Sequence, residues 1–320
     1  LDTEAFAEDR YFDVFVEYAK ADENDILIRI SIANRGPDSA PCHVLPTLWF
    51  RNTWSWGYER GPMGDVEGKP LMKAIEGRSN MKSLEAMHPG AGTYYLDAEG
   101  ATELLFAENE TNFERLHGTS NRSPYVKDGL HRYLVDGDSA AVNPEMQGTK
   151  AAALYEGTIA AGETRVLRLR LSKTARKLSF KDFDAVFAQR MAEADEFYRS
   201  VQKPTLSEDE KRVQRQALAG MLWSKQLFYY DIEQWLNGDP EQPPPPESRQ
   251  NGRNQEWKHL NNFDVISMPD KWEYPWYAGW DLAFHCLPLA LVDSDFAKRQ
   301  LLLMTREWYM HPIGQIPAYE

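Results

Sequence analysis

The hydrophobic period of this chain changes once, and that change limits the folds open to it. Up to about residue 172 apolar residues fall in short alternating runs, while from Ser179 onward they recur at helical spacing. A helix-period segment cannot present one clean face as a strand, nor the reverse, so the order must be β first and α after. Residues 11–18, 26–32, 44–50, 93–96, 103–107, 151–159 and 165–171 read as strands, most of them bounded by Gly, Asn or Asp. Short strands at this spacing, with no helices between them, predict an antiparallel β-sandwich over 1–172. The turn at 160–163 reads as a hairpin joining the last two strands.

Phe183, Val186, Phe187, Met191, Ala194 and Phe197 predict a helix capped by Ser179 and broken by Pro204, so 173–204 reads as a helical linker. A second helix opens on Ser207-Glu208-Asp209-Glu210, the Ser-x-x-Glu capping box. Its apolar residues Val213, Ala217, Met221 and Phe228 carry it toward the stop at Asn237-Gly238. Residues 239–268 read as a long loop containing four consecutive prolines. Residues 282–292 predict an apolar helix with Pro288 inside it. Residues 294–310 predict another, with Phe296, Leu301, Met304 and Trp308 on one side.

Charge narrows the partners. The 320 residues hold 36 basic and 49 acidic side chains, a net charge of −13, which argues against nucleic acid and against an anionic membrane surface. There is no apolar run of membrane-spanning length. Cys42 and Cys286 allow one disulfide but no disulfide framework. Without CxxC or HxxxH spacing, neither a metal site nor a cofactor is predicted. The chain opens on Leu1 with no signal-peptide pattern and reads as a piece of a longer protein.

Seven of the ten tryptophans fall between Trp223 and Trp308, and they are densest in 268–285, MPDKWEYPWYAGWDLAFH. Ring faces stack on the C–H faces of sugars, and polar ring tips bond at the edge. A carboxyl among rings loses hydration, which favours its protonated form. This stretch predicts a carbohydrate pocket walled by Trp272, Trp276, Trp280 and Tyr277, with Glu273 and Asp281 as its carboxylates. Asn262 and Asp264, just upstream, are suited to fixing hydroxyls, while His259 reads as structural. In the β half, Arg51, Asn52 and Trp54 lie in a polar–aromatic loop that either seals the sandwich end or reaches sugar hydroxyls.

PDKWEYPWYAGWDLAF, followed by LLLMTREWYMHPIGQIPAYE, resembles bacterial members of glycoside hydrolase family 63, the relatives of processing α-glucosidase I and of glucosyl- and mannosylglycerate hydrolases. The resemblance is strongest over 205–320; in the β half, LWFRNTWSWG is also similar. It implies an N-terminal sandwich followed by the start of a six-hairpin (α/α) barrel over 205–320, and inverting hydrolysis of an α-glucoside or close relative. Asp281 matches the family's general acid, and the general base is expected beyond Glu320, so this stretch alone is expected not to turn over. The resemblance also implies a bacterial cytoplasmic setting, with a signal left open by the missing start. Two other readings stand beside it: a carbohydrate-binding module without catalysis, and a trehalase- or glucoamylase-like barrel hydrolase.

Overall fold

The computed structural model describes residues 6–58, 68–76, 80–176, 179–252, 254–268, 270, 272–306 and 309–318. The chain divides into two compact units, Leu1–Ser55 with Glu59–Ala192, and Trp56–Tyr58 with Glu193–Glu320.

The first unit contains β1 (Phe12–Asp22), β2 (Asp25–Asn34), β3 (Ala40–Val44), β4 (Thr47–Trp49), β5 (Leu71–Ile75), β6 (Met81–His88), β7 (Gly92–Glu99) and β8 (Glu103–Ala107). Two short helices follow, α1 (Phe113–His117) and α2 (Gly129–Asp136), then β9 (Gln147–Gly148), β10 (Lys150–Ile159), β11 (Thr164–Ser172) and α3 (Phe183–Val201), which crosses the division between the units. Seven strands form one antiparallel sheet in the order β1-β2-β11-β7-β6-β5-β9, and β10 gathers β3, β4 and β8 into a second. The two sheets share one core, in which Ile32, Leu84, Ala98 and Leu169 of the larger sheet meet Phe106, Ala153 and Tyr155 of the smaller.

Several local expectations change here. The turn at 160–163 forms, with Gly162 at φ 72°, but it is not a hairpin: β10 belongs to the smaller sheet and β11 to the larger. The predicted strand 44–50 is two strands that lie end to end along β10, parted at Leu45-Pro46, where proline offers no N–H to the ladder. β10 shows no alternation at Ala151-Ala152-Ala153 because both of its faces are buried; α2 covers the outer one through Leu130. That cover is one of two helices in a stretch expected to have none.

The other correction within this unit concerns Ser179, which does not cap α3. Its hydroxyl donates to Asp97 and its carbonyl accepts from Arg170, both buried. Arg170 is 1% exposed, and its guanidinium binds Asp25 through two nitrogens at 2.6–2.7 Å and Asp182 at 2.6 Å. Arg176 adds a second cation on Asp25. Being hydrogen-bonded to Asp25 and Asp182, the Arg170 guanidinium is held above even its usual basicity, which burial alone would lower.

The second unit holds α4 (Glu208–Trp223), β12 (Lys225–Asp231), α5 (Ile232–Asn237), β13 (Asn261–Ser267), α6 (Gly279–Val292) and α7 (Ser294–Met304). The Ser207/Glu210 capping box forms as predicted at the start of α4. The helix stops at Trp223, however, and Phe228 lies in a strand. β12 pairs antiparallel with β13, which emerges from the middle of the expected loop. The Lys225–Asp231 sequence, KQLFYYD, is rich in aromatic residues and suits a half-buried strand once a partner is supplied. Gly238, at φ 76°, ends α5 rather than α4. α7 ends at Met304, and the predicted Trp308 lies outside the described residues. Cys42 and Cys286 are both free thiols, one in each unit.

Candidate functional site

The β12–β13 ribbon sets out the polar residues of the second unit. Tyr230 lies opposite Asn262 and Phe228 opposite Asp264, so the four share one face, with Ile266 next along it. That face turns inward. Asn262 is fully buried, and neither atom of its amide meets a hydrogen-bonding partner among the described residues. Tyr277 is equally buried. Its ring lies 6.5 Å from Phe228 and meets Tyr309 edge-on at 5.8 Å, and its hydroxyl has no partner among the described residues. Burial, followed by the nearness of Tyr309 and Asp264, pushes the Tyr277 hydroxyl far up and keeps it a neutral donor. The Tyr309 hydroxyl donates to Asp264, which is half-buried. Asn262 and Asp264 thus share a strand face, and Tyr277 packs near Asp264 through Tyr309, but Tyr277 and Asn262 are both buried.

The aromatic stretch that follows is held outward. Asp270 accepts from the backbone N–H groups of both Trp272 and Glu273, a tight turn that leaves Trp272 90% exposed and Glu273 exposed beside it. Trp276 is half-buried and meets Tyr274 edge-on at 5.1 Å. Trp280 is 54% exposed at the start of α6.

Asp281 occupies the first turn of α6. The N-cap residue, Ala278, supplies no side-chain cap; instead the Gly279 N–H donates to the Pro317 carbonyl at 3.0 Å. A Cβ at Gly279 would lie 2.8 Å from that carbonyl oxygen, so only glycine fits the contact. The Asp281 carboxylate is half-buried and takes no hydrogen bond among the described residues. One turn along, His285 carries its Nδ1 2.9 Å from the Ser267 hydroxyl. Burial pulls the His285 imidazole below its ordinary value, opposed by the Asp281 charge and the Ser267 main chain. Sequence reasoning passed over His285, although its spacing of four from Asp281 on a helix was visible.

Two of the three predicted residues of the β half, Asn52 and Trp54, make local contacts in the first unit. Asn52 accepts from the Ser55 N–H, and the Trp54 indole donates to buried Glu110 at 2.8 Å with the Lys69 ammonium over its ring; Arg51 is exposed. Within the second unit, an open cleft of about 550 Å³ between β13 and α7 is lined by Lys225, Asp293, Arg299 and Arg306 among others. It takes only Asp264 from the predicted set. Among the described residues, no group of three His, Cys, Asp or Glu side chains could hold a metal ion, and no helix is long and apolar enough to cross a membrane.

No protein-family model matches the chain. A curated relative from Saccharomyces cerevisiae, the "Uncharacterized protein YMR196W", is 42% identical over 345 aligned positions, which take in 97% of this chain and 31% of the relative. The chain therefore spans about a third of the length of the curated relative it matches. Among solved structures, a polysaccharide lyase is similar over 50% of this chain and 20% of its own, at 10% identity and TM-score 0.28. A human-microbiome protein described as a kojibiose phosphorylase is similar over 70% of this chain and 23% of its own, at 10% identity and TM-score 0.25. Both names are those of carbohydrate-active enzymes, but likeness at that level carries no argument for this chain.

Proposed function

We propose that the second unit carries the acid half of an inverting α-glycosidase of the glycoside hydrolase family 63 kind. Asp281 is its general acid and an α-glucoside, or a close relative, its substrate. The observation that carries this reading is the state of Asp281: a half-buried carboxylate with no hydrogen bond, on the first turn of a helix, next to the exposed ring of Trp280. Asp293, the N-cap of α7, is held by the Phe296 N–H, whereas Asp281, three residues into α6, is held by no such bond among the described residues. Asp281 donates its proton to the leaving oxygen, while a second carboxylate, contributed by chain beyond Glu320, activates water on the opposite face. The two stand roughly 6.5–9.5 Å apart, as inversion requires. Trp272, Trp276 and Trp280 supply stacking faces for the sugar.

The test is to incubate the full-length protein and its Asp281→Asn variant with α-glucosides, α-mannosides and glycerate glycosides, and to follow the released anomer by proton NMR. β-Sugar released by the wild type alone supports the reading. Retained configuration, or equal activity in the variant, sinks it. A second reading, binding without hydrolysis, is favoured by Trp272 and Tyr274, whose exposed rings suffice to hold a glycan. It takes over where sugar binds with the same affinity to both proteins and no bond is cleaved by either.

A further inference from the structure

The four prolines between α5 and β13 are stiff, yet they stand where no spacer is needed. Proline fixes its own φ at about −65°, and a residue before proline is pushed to extended ψ, so Pro243, Pro244 and Pro245 are each confined to the polyproline II conformation. Pro246 follows at φ −63° and ψ 145°. This conformation turns once in about three residues, so positions three apart share an edge. Burial keeps that period: Gln242 and Pro245 are half-buried, while Pro243, Pro244 and Pro246 are exposed. The inward ring rests on bare backbone, since a Cβ at Gly238 would lie 2.8 Å from Pro245 Cδ. Beyond Pro246 the chain enters a 3-10 turn, Glu247–Asn251, and returns to the helix it left. The Arg249 guanidinium donates to the Trp235 carbonyl at 3.0 Å and lies 3.8 Å over the Trp235 ring, and Gln250 donates to the Leu236 carbonyl. The segment thus begins and ends on α5, and its prolines bridge no gap.

We propose that residues 243–246 are a docking ridge for a partner domain that reads polyproline II, one whose groove is lined with Trp and Tyr rings. Such a groove takes a helix that is already formed, so little conformational entropy is lost on binding. Pro243 and Pro246, on the outward edge, supply the rings that seat between the aromatic ones. Pro245, pressed against Gly238, holds that edge outward. The carbonyls of Pro243, Pro244 and Pro245 accept no hydrogen bond among the described residues, so they are left as acceptors for the indole N–H and phenol O–H groups of the groove. Glu247 is exposed directly after the last proline and has no ion pair among the described residues, which matches a groove with a basic residue at that end. The ridge shares no residue with those assigned to sugar hydrolysis and stands independently of the role of Asp281.

The test titrates the full-length protein by isothermal calorimetry against a panel of purified SH3, WW and EVH1 domains, whose grooves take proline-rich segments. Saturable binding to at least one is expected, and a synthetic oligoproline peptide is expected to displace it. Pro243→Ala combined with Pro246→Ala is expected to weaken that binding about 10-fold or more, with thermal unfolding as in the wild type, because both rings are exposed. Pro245→Ala, on the inward edge, is expected to weaken it less than about threefold. Binding by no domain of the panel, binding that oligoproline leaves untouched, or an equal loss from Pro245→Ala overturns the proposal. The peptide arm needs no variant, so it decides even where a substitution disturbs the segment.

Discussion

Arg170 in the first unit and Asn262 in the second are both closed off from water, yet their surroundings differ. The Arg170 guanidinium is met by two carboxylates and a carbonyl. Neither end of the Asn262 amide is met by a partner among the described residues. A buried charge without partners would cost far more than a fold's whole stability margin, so Arg170 must be clamped wherever the fold forms. A buried neutral amide costs only a few kcal/mol, within what a fold can carry for another purpose. The contrast separates a residue that holds a unit together from one that is tolerated by it.

The largest effect is expected at the clamp. Arg170→Met leaves Asp25 and Asp182 without their main cation and is expected to cost about 3–5 kcal/mol, read by urea unfolding. A loss below about 1 kcal/mol would mean that Arg176 suffices for Asp25 and that the clamp is redundant. Asn262→Leu, similar in volume, is expected to be neutral or to stabilise by up to about 2 kcal/mol, because an unmet amide is removed. Clear destabilisation would show that the amide is satisfied after all, and lost sugar affinity in the same variant would give it the binding role suggested by its sequence. Tyr277→Phe, which deletes another buried hydroxyl without a partner among the described residues, is expected to change stability by less than about 1 kcal/mol in thermal unfolding.

The smallest effect concerns His285. In the unfolded chain its imidazole titrates at its ordinary value of 6.5, and in the folded unit burial holds it lower. As pH falls below 6.5 the unfolded form takes up a proton that the folded form does not, so stability declines until the folded value is passed and then levels off. The slope is at most about 1.4 kcal/mol per pH unit. His285→Gln is expected to remove this decline from unfolding curves taken above and below that pH. A decline that persists belongs to other groups.

What could be read from the sequence follows how far each feature depends on distant partners. The capping box at Ser207 is local and forms where the residues place it, and the β-then-α order holds in part, with α1 and α2 ahead of residue 172 and the β12–β13 ribbon after it. The β12–β13 ribbon was missed because Lys225 and Ser267, its outermost pair, are far apart in the chain. Nothing in KQLFYYD by itself says where its partner lies. The turn at 160–163 was legible as a turn, but which sheet each flank joins is decided by β2 and β8, more than forty residues upstream. At the candidate site the density of rings was visible. Which of them turn outward was not, because that depends on Asp270 drawing two backbone N–H groups together and on Tyr277 finding Phe228 and Tyr309.

The bond from Gly279 to Pro317 also has a consequence for synthesis. The helix that bears Asp281 closes its first turn on a carbonyl supplied by chain made later. As the protein emerges from the ribosome, residues 279–292 are out before their anchor is. The turn that bears Asp281 therefore lacks this bond until Pro317 has cleared the exit tunnel.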